Sequence, residues 1–572
     1  MTLRPALARP SARKSAMVEP QFDDAETGRS SDVGARVSAQ HAPSRSRARR
    51  WLTPLGEVVV AITAALVMVL LSHSIEVDPL DRIGQVSGVA TAALHFTVLG
   101  LLVVVAVTVA ARLHSHATFS VVYSLACAAV AGLSTGLIAG GLVVALRGTT
   151  WPLFANGGDA AQLAEWARHV MAGGSPPAIY PPAPIHLIAG WAELAGTTPS
   201  NALQVLQIIG TALFGPIAYL AWRLLLPPLW ALIIGLVGAL PLTDLYKPYV
   251  HVVLVALLPL VIAFLQALRN SPTLSWRRLS LYGVSFGAVV GLLFLTYSGW
   301  FLWSALGVIA ATVIIFPWRT GALRGCALLG MATVTFVAVA GAQLLDVLRA
   351  AGTAEDSFFY FDTYVEPAYI AMWRNDLPGA PASWPPPGEL AGVGLFSVLL
   401  VVGLGVAIAL GSRHVAVITL TCCMASAWLM RFWLAAQMYE TQMVQLYPRT
   451  TPQILYCLLM LSGFAAYFVA RRLGSRAGTT PATADRWQPG SAVSLGVLCA
   501  VLLFSLFAGS STADRYMPRN DDSAGLLAYV AQMVRQEDGT CPVYSRPDRC
   551  ADDNGELAQW RAAQEGQPSS RS

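Results

Sequence analysis

Apolar runs recur along this chain from Val58 to Phe507, and most approach the roughly 20 residues that a helix needs to cross about 30 Å of hydrocarbon. Lipid offers backbone amides and carbonyls no partner, so a spanning chain must close its hydrogen bonds within itself. Runs of this length do so as helices. The expected fold is an all-α integral membrane protein, a polytopic helix bundle. Composition agrees: 55% of the 572 residues are hydrophobic and 12% charged, about half the charge of an ordinary soluble chain, with mean hydropathy +0.56.

About thirteen spans are predicted, near 55–73, 89–111, 121–146, 201–224, 228–244, 250–268, 279–296, 300–317, 324–345, 390–410, 414–433, 453–470 and 491–509. Residues 1–50, rich in Ser, Ala and Arg and without an apolar stretch, are expected to be a disordered basic tail. Arg45, Arg47, Arg49 and Arg50 stand just before the first span, where a basic cluster stays on the cytoplasmic side. The formal charge of +5 includes only two lysines, Lys14 and Lys247, so nearly all the positive charge is arginine, and nucleic-acid binding is not implied by it.

Starting from that tail, alternate turns carry Arg112, Arg223, Arg269 with Arg277 and Arg278, Arg319 with Arg324, Arg413, and Arg471 with Arg472, Arg476 and Arg486. All are basic, as the positive-inside bias requires. The opposite turns then face outward, and among them two loops are long, 147–200 and 346–389. An odd number of spans also puts the short C-terminal segment 510–572, which follows the transmembrane domain 51–509, on the extracytoplasmic side. It holds Leu526, Leu527, Val530, Met533 and Val534 at helical spacing, and Cys541 and Cys550 close enough in sequence for a disulfide in an oxidising compartment. The other cysteines fall within or beside spans and are expected to pack as small apolar residues.

Irregular backbone cannot lie in lipid, so the long outer loops are the place to look for chemistry. The first reads Trp151-Pro-Leu-Phe-Ala-Asn-Gly-Gly-Asp159, then Gln162, Glu165, Trp166, Arg168 and His169, then Tyr180-Pro181-Pro182. Gly157 and Gly158 allow a sharp turn, and Asp159 is expected at the N-cap of a helix running to Met171. Glu165 and Arg168, three residues apart, share a helix face and either pair or bind substrate. The second loop sets Asp362 and Glu366 among aromatics from Phe358 to Trp373. Such a composition suits sugar stacking and equally an interfacial aromatic belt. Shorter outer turns add Asp244, Tyr246, Lys247, Tyr249 and His251, then Tyr297, then Tyr439, Glu440, Tyr447 and Arg449. A Lys or Arg there can hold a phosphate or simply snorkel to the interface. No P-loop, GxGxxG turn, HExxH helix or Cys/His metal cluster occurs, so a nucleotide-driven pump or zinc hydrolase gains no support and no metal is expected.

The order of span, Gly-Gly-Asp loop, amphipathic helix, Tyr-Pro-Pro and span resembles the actinobacterial galactan arabinofuranosyltransferases, which are GT-C membrane glycosyltransferases. The resemblance covers roughly residues 90–470. It rests on Asp159 with Glu165, Tyr180-Pro181-Pro182, Gly196-Thr197-Thr198-Pro199, Lys247-Pro248-Tyr249, and Arg449 with Pro452. It implies a GT-C-type bundle in the plasma (inner) membrane with an extracytoplasmic active site. The implied donor is a polyprenyl-phosphate sugar, decaprenylphosphoryl arabinofuranose, and the acceptor a glycan such as cell-wall galactan, or a secreted metabolite. Asp159 matches the family's first-loop aspartate, taken as catalytic base. Lys247 and Arg449, by charge and position, are candidates for the leaving phosphate, and Glu165, Arg168, Tyr180, Tyr249, Tyr297, Asp362 and Glu366 for substrate. The resemblance leaves any divalent cation unassigned, and Gln162 and Leu163 are not matched to the family.

Two other readings stand beside this one. The donor sugar is another polyprenyl-phosphate sugar such as mannose, or the chain is a lipid-linked-sugar transporter. Ion-coupled transport favours ionisable residues within spans; His95 and Gln207 are polar there and are read as hydrogen-bonded packing residues.

Overall fold

The computed structural model describes residues 47–113, 116–350, 395–442, 444, 446–476, 491–521, 523–545 and 550–565. The chain divides into two units, Met1–Arg49 and Arg50–Ser572, and the bundle belongs to the second. Residues 1–46 of the expected tail lie outside the described residues, whereas Arg47, Arg49 and Arg50 already belong to the first helix.

In chain order the helices are α1 (Arg47–His73), α2 (Arg82–Leu113), α3 (His116–Ala145), α4 (Gly158–Met171), α5 (Pro182–Ala195), α6 (Pro199–Arg223) and α7 (Pro228–Ala231). Then come α8 (Pro248–Arg269), α9 (Trp276–Thr296), α10 (Gly299–Ile315), α11 (Ala322–Ala350), α12 (Leu395–Gly411), α13 (Val415–Ala436) and α14 (Met438–Thr441). The last are α15 (Thr451–Arg476), α16 (Ser491–Arg515), α17 (Gly525–Met533) and α18 (Asn554–Glu565). Among the described residues the only β-pairing is an isolated parallel bridge between Val534 and Ala551.

Among the described residues ten helices are long and apolar enough to cross a membrane, and three shorter apolar segments, Pro228–Leu242, Gly299–Ile315 and Ser397–Gly411, lie between them in the chain. The protein is a multi-pass helical membrane protein. The segment expected as a regular span over 228–244 is instead broken: α7 passes into a π-turn, Leu232–Val237, and a 3-10 turn, Leu240–Leu242. Pro241 has no N–H for the helical ladder, and two glycines before it, Gly235 and Gly238, leave the ladder easy to rearrange.

The bundle is organised around α3. Its most apolar window is 94% buried inside the protein, against 22% for α2, so α3 is central and α2 turns most of its surface to lipid. Small residues make that possible. A Cβ on Gly132 would stand 2.1 Å from the Ala61 carbonyl oxygen, and one on Gly141 2.4 Å from the Ala513 Cβ. Glycine therefore lets α1 and α16 close on α3 at backbone distance, the usual device where lipid removes the hydrophobic drive between helices.

Helix stops and starts follow local chemistry. Gly196 at φ 62° ends α5 as a left-handed cap, the Thr198 side chain accepts from the Asn201 amide, and Pro199 opens α6. The Gly-Thr-Thr-Pro stretch is thus the corner between two helices.

The turns sort into two groups. Arg223 pairs with Glu57, Arg269 donates to the Arg413 carbonyl at 3.1 Å, and Arg324 donates to the Pro272 carbonyl, so several basic turns share one end. At the other, Arg147 donates to the His73 carbonyl at 3.0 Å, Arg82 pairs with Asp514 at 2.7 Å, and the Phe154 amide donates to the Leu527 carbonyl at 2.8 Å. Loop 147–157 and the C-terminal segment therefore meet at the same end. The amphipathic pattern at 526–534 does form a helix, α17, and Cys541 and Cys550 are joined as a disulfide. Helix α18 was not expected from the sequence.

Candidate functional site

The chain enters the site through Trp151, Leu153 and Ala155, all buried. Phe154 at φ 72° and Ala155 at φ 47° occupy the left-handed region, which side chains rarely adopt, and Gly158 at φ 53° follows them. These residues swing the backbone sharply into α4. The helix is capped by Gly157, with no side-chain cap bond. Asp159 is therefore not the N-cap expected from the sequence. It sits in the first turn, where the helix dipole favours a carboxylate, and its Oδ2 forms an ion pair with Lys247 Nζ.

Lys247 is presented by the turn that follows the broken helix. Asp244 Oδ1 accepts from the Tyr246 amide at 2.9 Å, an Asx turn written by the sequence Asp-Leu-Tyr. The Tyr246 hydroxyl then accepts from the Ala160 amide at 3.0 Å, satisfying one of the open N–H groups at the start of α4. Gln207 ties the two segments together, accepting from the Leu153 amide at 2.9 Å and donating to the Tyr246 carbonyl at 3.0 Å. With 1% of its surface exposed, it is the hydrogen-bonded packing residue expected. His95 differs from the same expectation: its Nδ1 is buried without a hydrogen-bond partner.

Tyrosines line the next layer. Tyr180 and Tyr249 share a 2.6 Å hydroxyl contact, and the Tyr180 ring lies 4.7 Å from that of Trp166. Tyr297 packs at 5.4 Å on Trp300. Arg449, exposed on the 3-10 turn Tyr447–Thr450, is close enough for its charge to act on Lys247, Tyr180 and Tyr297. Burial, with that neighbouring guanidinium, pushes the Lys247 ammonium down to about 8, while the Asp159 carboxylate pulls the other way. Burial raises the hydroxyls of Tyr180 and Tyr246 to about 12 and that of Tyr297 above its usual value, so all three remain neutral hydrogen-bond donors.

No protein-family model and no curated protein matches the chain.

Of the sequence candidates, Asp159, Lys247, Arg449, Tyr180, Tyr249 and Tyr297 converge. Glu165 and Arg168 do not join them. Arg168 pairs with Glu165 at 2.5 Å and reaches Glu537 of the C-terminal segment at 3.5 Å, and Glu537 accepts from Ser200 at 2.7 Å. Nine residues along a helix from Asp159, Arg168 faces away from it. Asp362 and Glu366, with most of loop 346–389, lie outside the described residues. Helix α11 runs on to Ala350, and Gln343 near its end donates to the Ala178 and Tyr180 carbonyls at 2.8 and 3.2 Å.

Other members carry no role in the sequence reading. Asp244 Oδ2 stands 4.0 Å from His251 Nδ1, and the His251 ring stacks at 5.8 Å on Trp300. Arg431, fully buried in α13, donates to the Tyr447 carbonyl at 3.0 Å and to the hydroxyls of Thr450 and Thr451 at 3.2 and 2.9 Å. It thereby holds the turn that presents Arg449. An arginine inside an otherwise apolar span was the available signal.

Beside the cluster opens an apolar groove of about 250 Å³, lined by Leu187, Leu206, Leu213, Ile217 and Val252, with Tyr246, Pro248 and Tyr249 along it. Its lining follows α6 from Leu203 to Ile217, about 20 Å of helix at 1.5 Å per residue. Among the described residues no three His, Cys, Asp or Glu side chains group as a metal site.

Proposed function

We propose that this protein is an inverting membrane glycosyltransferase of GT-C type. It moves arabinofuranose from a polyprenyl-phosphate donor, decaprenylphosphoryl arabinose, to a hydroxyl of an extracytoplasmic glycan such as cell-wall galactan, or of a secreted metabolite. The observation that carries this reading is the pairing of Asp159 with Lys247, near Arg449, beside an apolar groove. Two cations suit a phosphate, an apolar groove among helices suits a hydrocarbon chain, and a carboxylate suits a proton to be removed. In this reading all thirteen apolar segments cross the plasma membrane, the basic turns lie in the cytoplasm and the cluster faces outward.

The chemistry follows from the ion pair. Without donor, Lys247 neutralises Asp159. An arriving phosphate monoanion competes for the ammonium, and once Lys247 turns to it the carboxylate is free to act as base. Asp159 takes the proton of the acceptor hydroxyl as its oxygen attacks the anomeric carbon. The bond from that carbon to the phosphate oxygen breaks on the opposite face, inverting the centre. The polyprenyl phosphate leaves with the bonding electron pair, its charge met by Lys247 and Arg449. Tyr180, Tyr249 and Tyr297 offer hydroxyls and ring faces to the sugar.

The test is transfer from decaprenylphosphoryl arabinose, with decaprenylphosphoryl mannose as the competing donor, by the parent and by Asp159→Asn. The parent should form an inverted arabinosyl product. The variant should be folded and slower by about 10²–10⁴, the usual contribution of a general base. Transfer by the variant near the parent rate would remove Asp159 from the role, and transfer of mannose alone would replace the sugar. A lipid-linked-sugar transporter would use the same groove. Counterflow of labelled lipid-linked sugar with no transfer product would favour it.

A further inference from the structure

From the end of α3 at Ala145 to Ala155 the chain is irregular and largely buried backbone, with Thr150 exposed, and its buried polar groups must find partners. The bundle supplies some: Gln204 donates to the Thr149 and Trp151 carbonyls, each at 2.9 Å, and Gln207 accepts from Leu153. The C-terminal segment supplies more. Gln532 donates to the Ala145 and Arg147 carbonyls at 3.0 and 2.9 Å, and the Val543 amide donates to the Gly148 carbonyl at 2.9 Å. Thr149 donates to the Ala531 carbonyl at 2.9 Å, the Thr150 amide donates to Gln536 Oε1 at 2.8 Å, and the Trp151 indole donates to the Arg535 carbonyl at 3.1 Å.

The contacts extend to the residue whose backbone is least comfortable. Phe154, in the left-handed region, is held at both of its peptide groups: its amide donates to the Leu527 carbonyl at 2.8 Å, and its carbonyl accepts from Asn554 Nδ2 at 3.1 Å. The same Asn554 amide lies over Gly157, where an added Cβ would approach within 2.1 Å of Nδ2. Asn554 opens α18, and the Cys541–Cys550 disulfide together with the Val534–Ala551 bridge closes the loop that leads to it.

We infer that the segment around α17 and α18 is a clamp that sets the conformation of the loop preceding Asp159, with Asn554 as its positioning residue. The left-handed turn at Phe154 and Ala155 aims the first turn of α4, and so the Asp159 carboxylate, at Lys247. Two turn bonds within the loop accompany that conformation, from the Ala155 amide to the Pro152 carbonyl at 3.0 Å and from the Gly157 amide to the Phe154 carbonyl at 2.9 Å. The two bonds from the C-terminal segment add to them in holding the turn against the extended alternative that both residues prefer. The segment is therefore more than a helix beside the bundle: it supplies backbone partners to the site.

The catalytic arm of the test rests on the glycosyltransferase reading and the structural arm does not. Asn554→Ala and Asn554→Asp, which both lack the donor, are compared with the full-length parent by amide hydrogen exchange and by initial rates with decaprenylphosphoryl arabinose. The expected result is exchange of the Leu153, Phe154, Ala155 and Gly157 amides about tenfold or more faster, with α3 unchanged. With it, kcat falls about tenfold or more while donor KM stays within about twofold, because the phosphate-holding cations are untouched. If α3 also loosens, the double variant Cys541→Ser/Cys550→Ser replaces the single change and must reproduce the faster loop exchange. Parent-like exchange across residues 153–157 overturns the clamp. Faster loop exchange in preparations that transfer no sugar, the parent included, leaves the clamp standing and removes the glycosyltransferase reading instead.

Discussion

Replacing Lys247 by methionine separates holding the donor from activating the acceptor. Methionine keeps the unbranched stem against the Tyr246 ring, which now lies 5.7 Å from Nζ, and removes only the charge. In the proposed cycle Lys247 gives the donor phosphate one charge-assisted hydrogen bond, a contact that contributes about 1.5–3 kcal/mol. At 1.4 kcal/mol per factor of ten, donor KM should rise about 10- to 150-fold. Asp159 loses its resting partner but keeps its place in the first turn of α4, so kcat should change less than donor KM. The assay is initial rate against donor concentration for the purified protein in lipid nanodiscs, with dissociation of a non-transferable phosphonate analogue measured alongside. Donor KM and analogue affinity both within about twofold of the parent would refute the assignment. So would a loss confined to kcat, which would make Lys247 part of the proton transfer and not of the phosphate site.

Two further outcomes follow from the geometry. Since Lys247 is held down to about 8 by burial and by Arg449, and only the ammonium binds phosphate, donor KM should be flat below that value and rise as pH climbs through it; Lys247→Arg should abolish the rise, measured as a pH series of donor KM. Glu57, 2% exposed and bonded twice to Arg223 at 2.8 and 2.9 Å, should lower stability by about 3–5 kcal/mol when changed to Gln, because Arg223 is left without its counter-charge; thermal unfolding in detergent that shows no decrease would contradict this.

The membrane bundle was legible because lipid imposes one requirement on every residue of a span, so averaging over a window recovers it. The same averaging hid Arg431, a single charge diluted among apolar neighbours, and the break at Gly235, Gly238 and Pro241, which changes hydrogen bonding but not hydropathy. Asp159 was legible as an unusual carboxylate after two glycines. Its placement was off by two positions, since Gly157 can cap a helix as well as an aspartate can take that role, and the partner that decides between them, Lys247, is distant in sequence. Tyr180, Tyr249 and Tyr297 were legible as aromatics in or beside the turns between helices. The link from Arg168 to Glu537 was not, because the local Glu165 pairing fully explains the spacing. Least legible of all was the hold of the C-terminal segment on loop 145–155: most of those bonds end on backbone carbonyls, which leave no mark on side-chain identity.

The most direct measurement is a structure with the phosphonate analogue of decaprenylphosphoryl arabinose bound. The phosphonate should lie within about 3 Å of Lys247 Nζ, with Lys247 turned from Asp159, the isoprenoid in the groove along α6, and the anomeric carbon facing the freed carboxylate. A headgroup bound elsewhere, or an Asp159–Lys247 pair intact beside an occupied groove, would contradict the account.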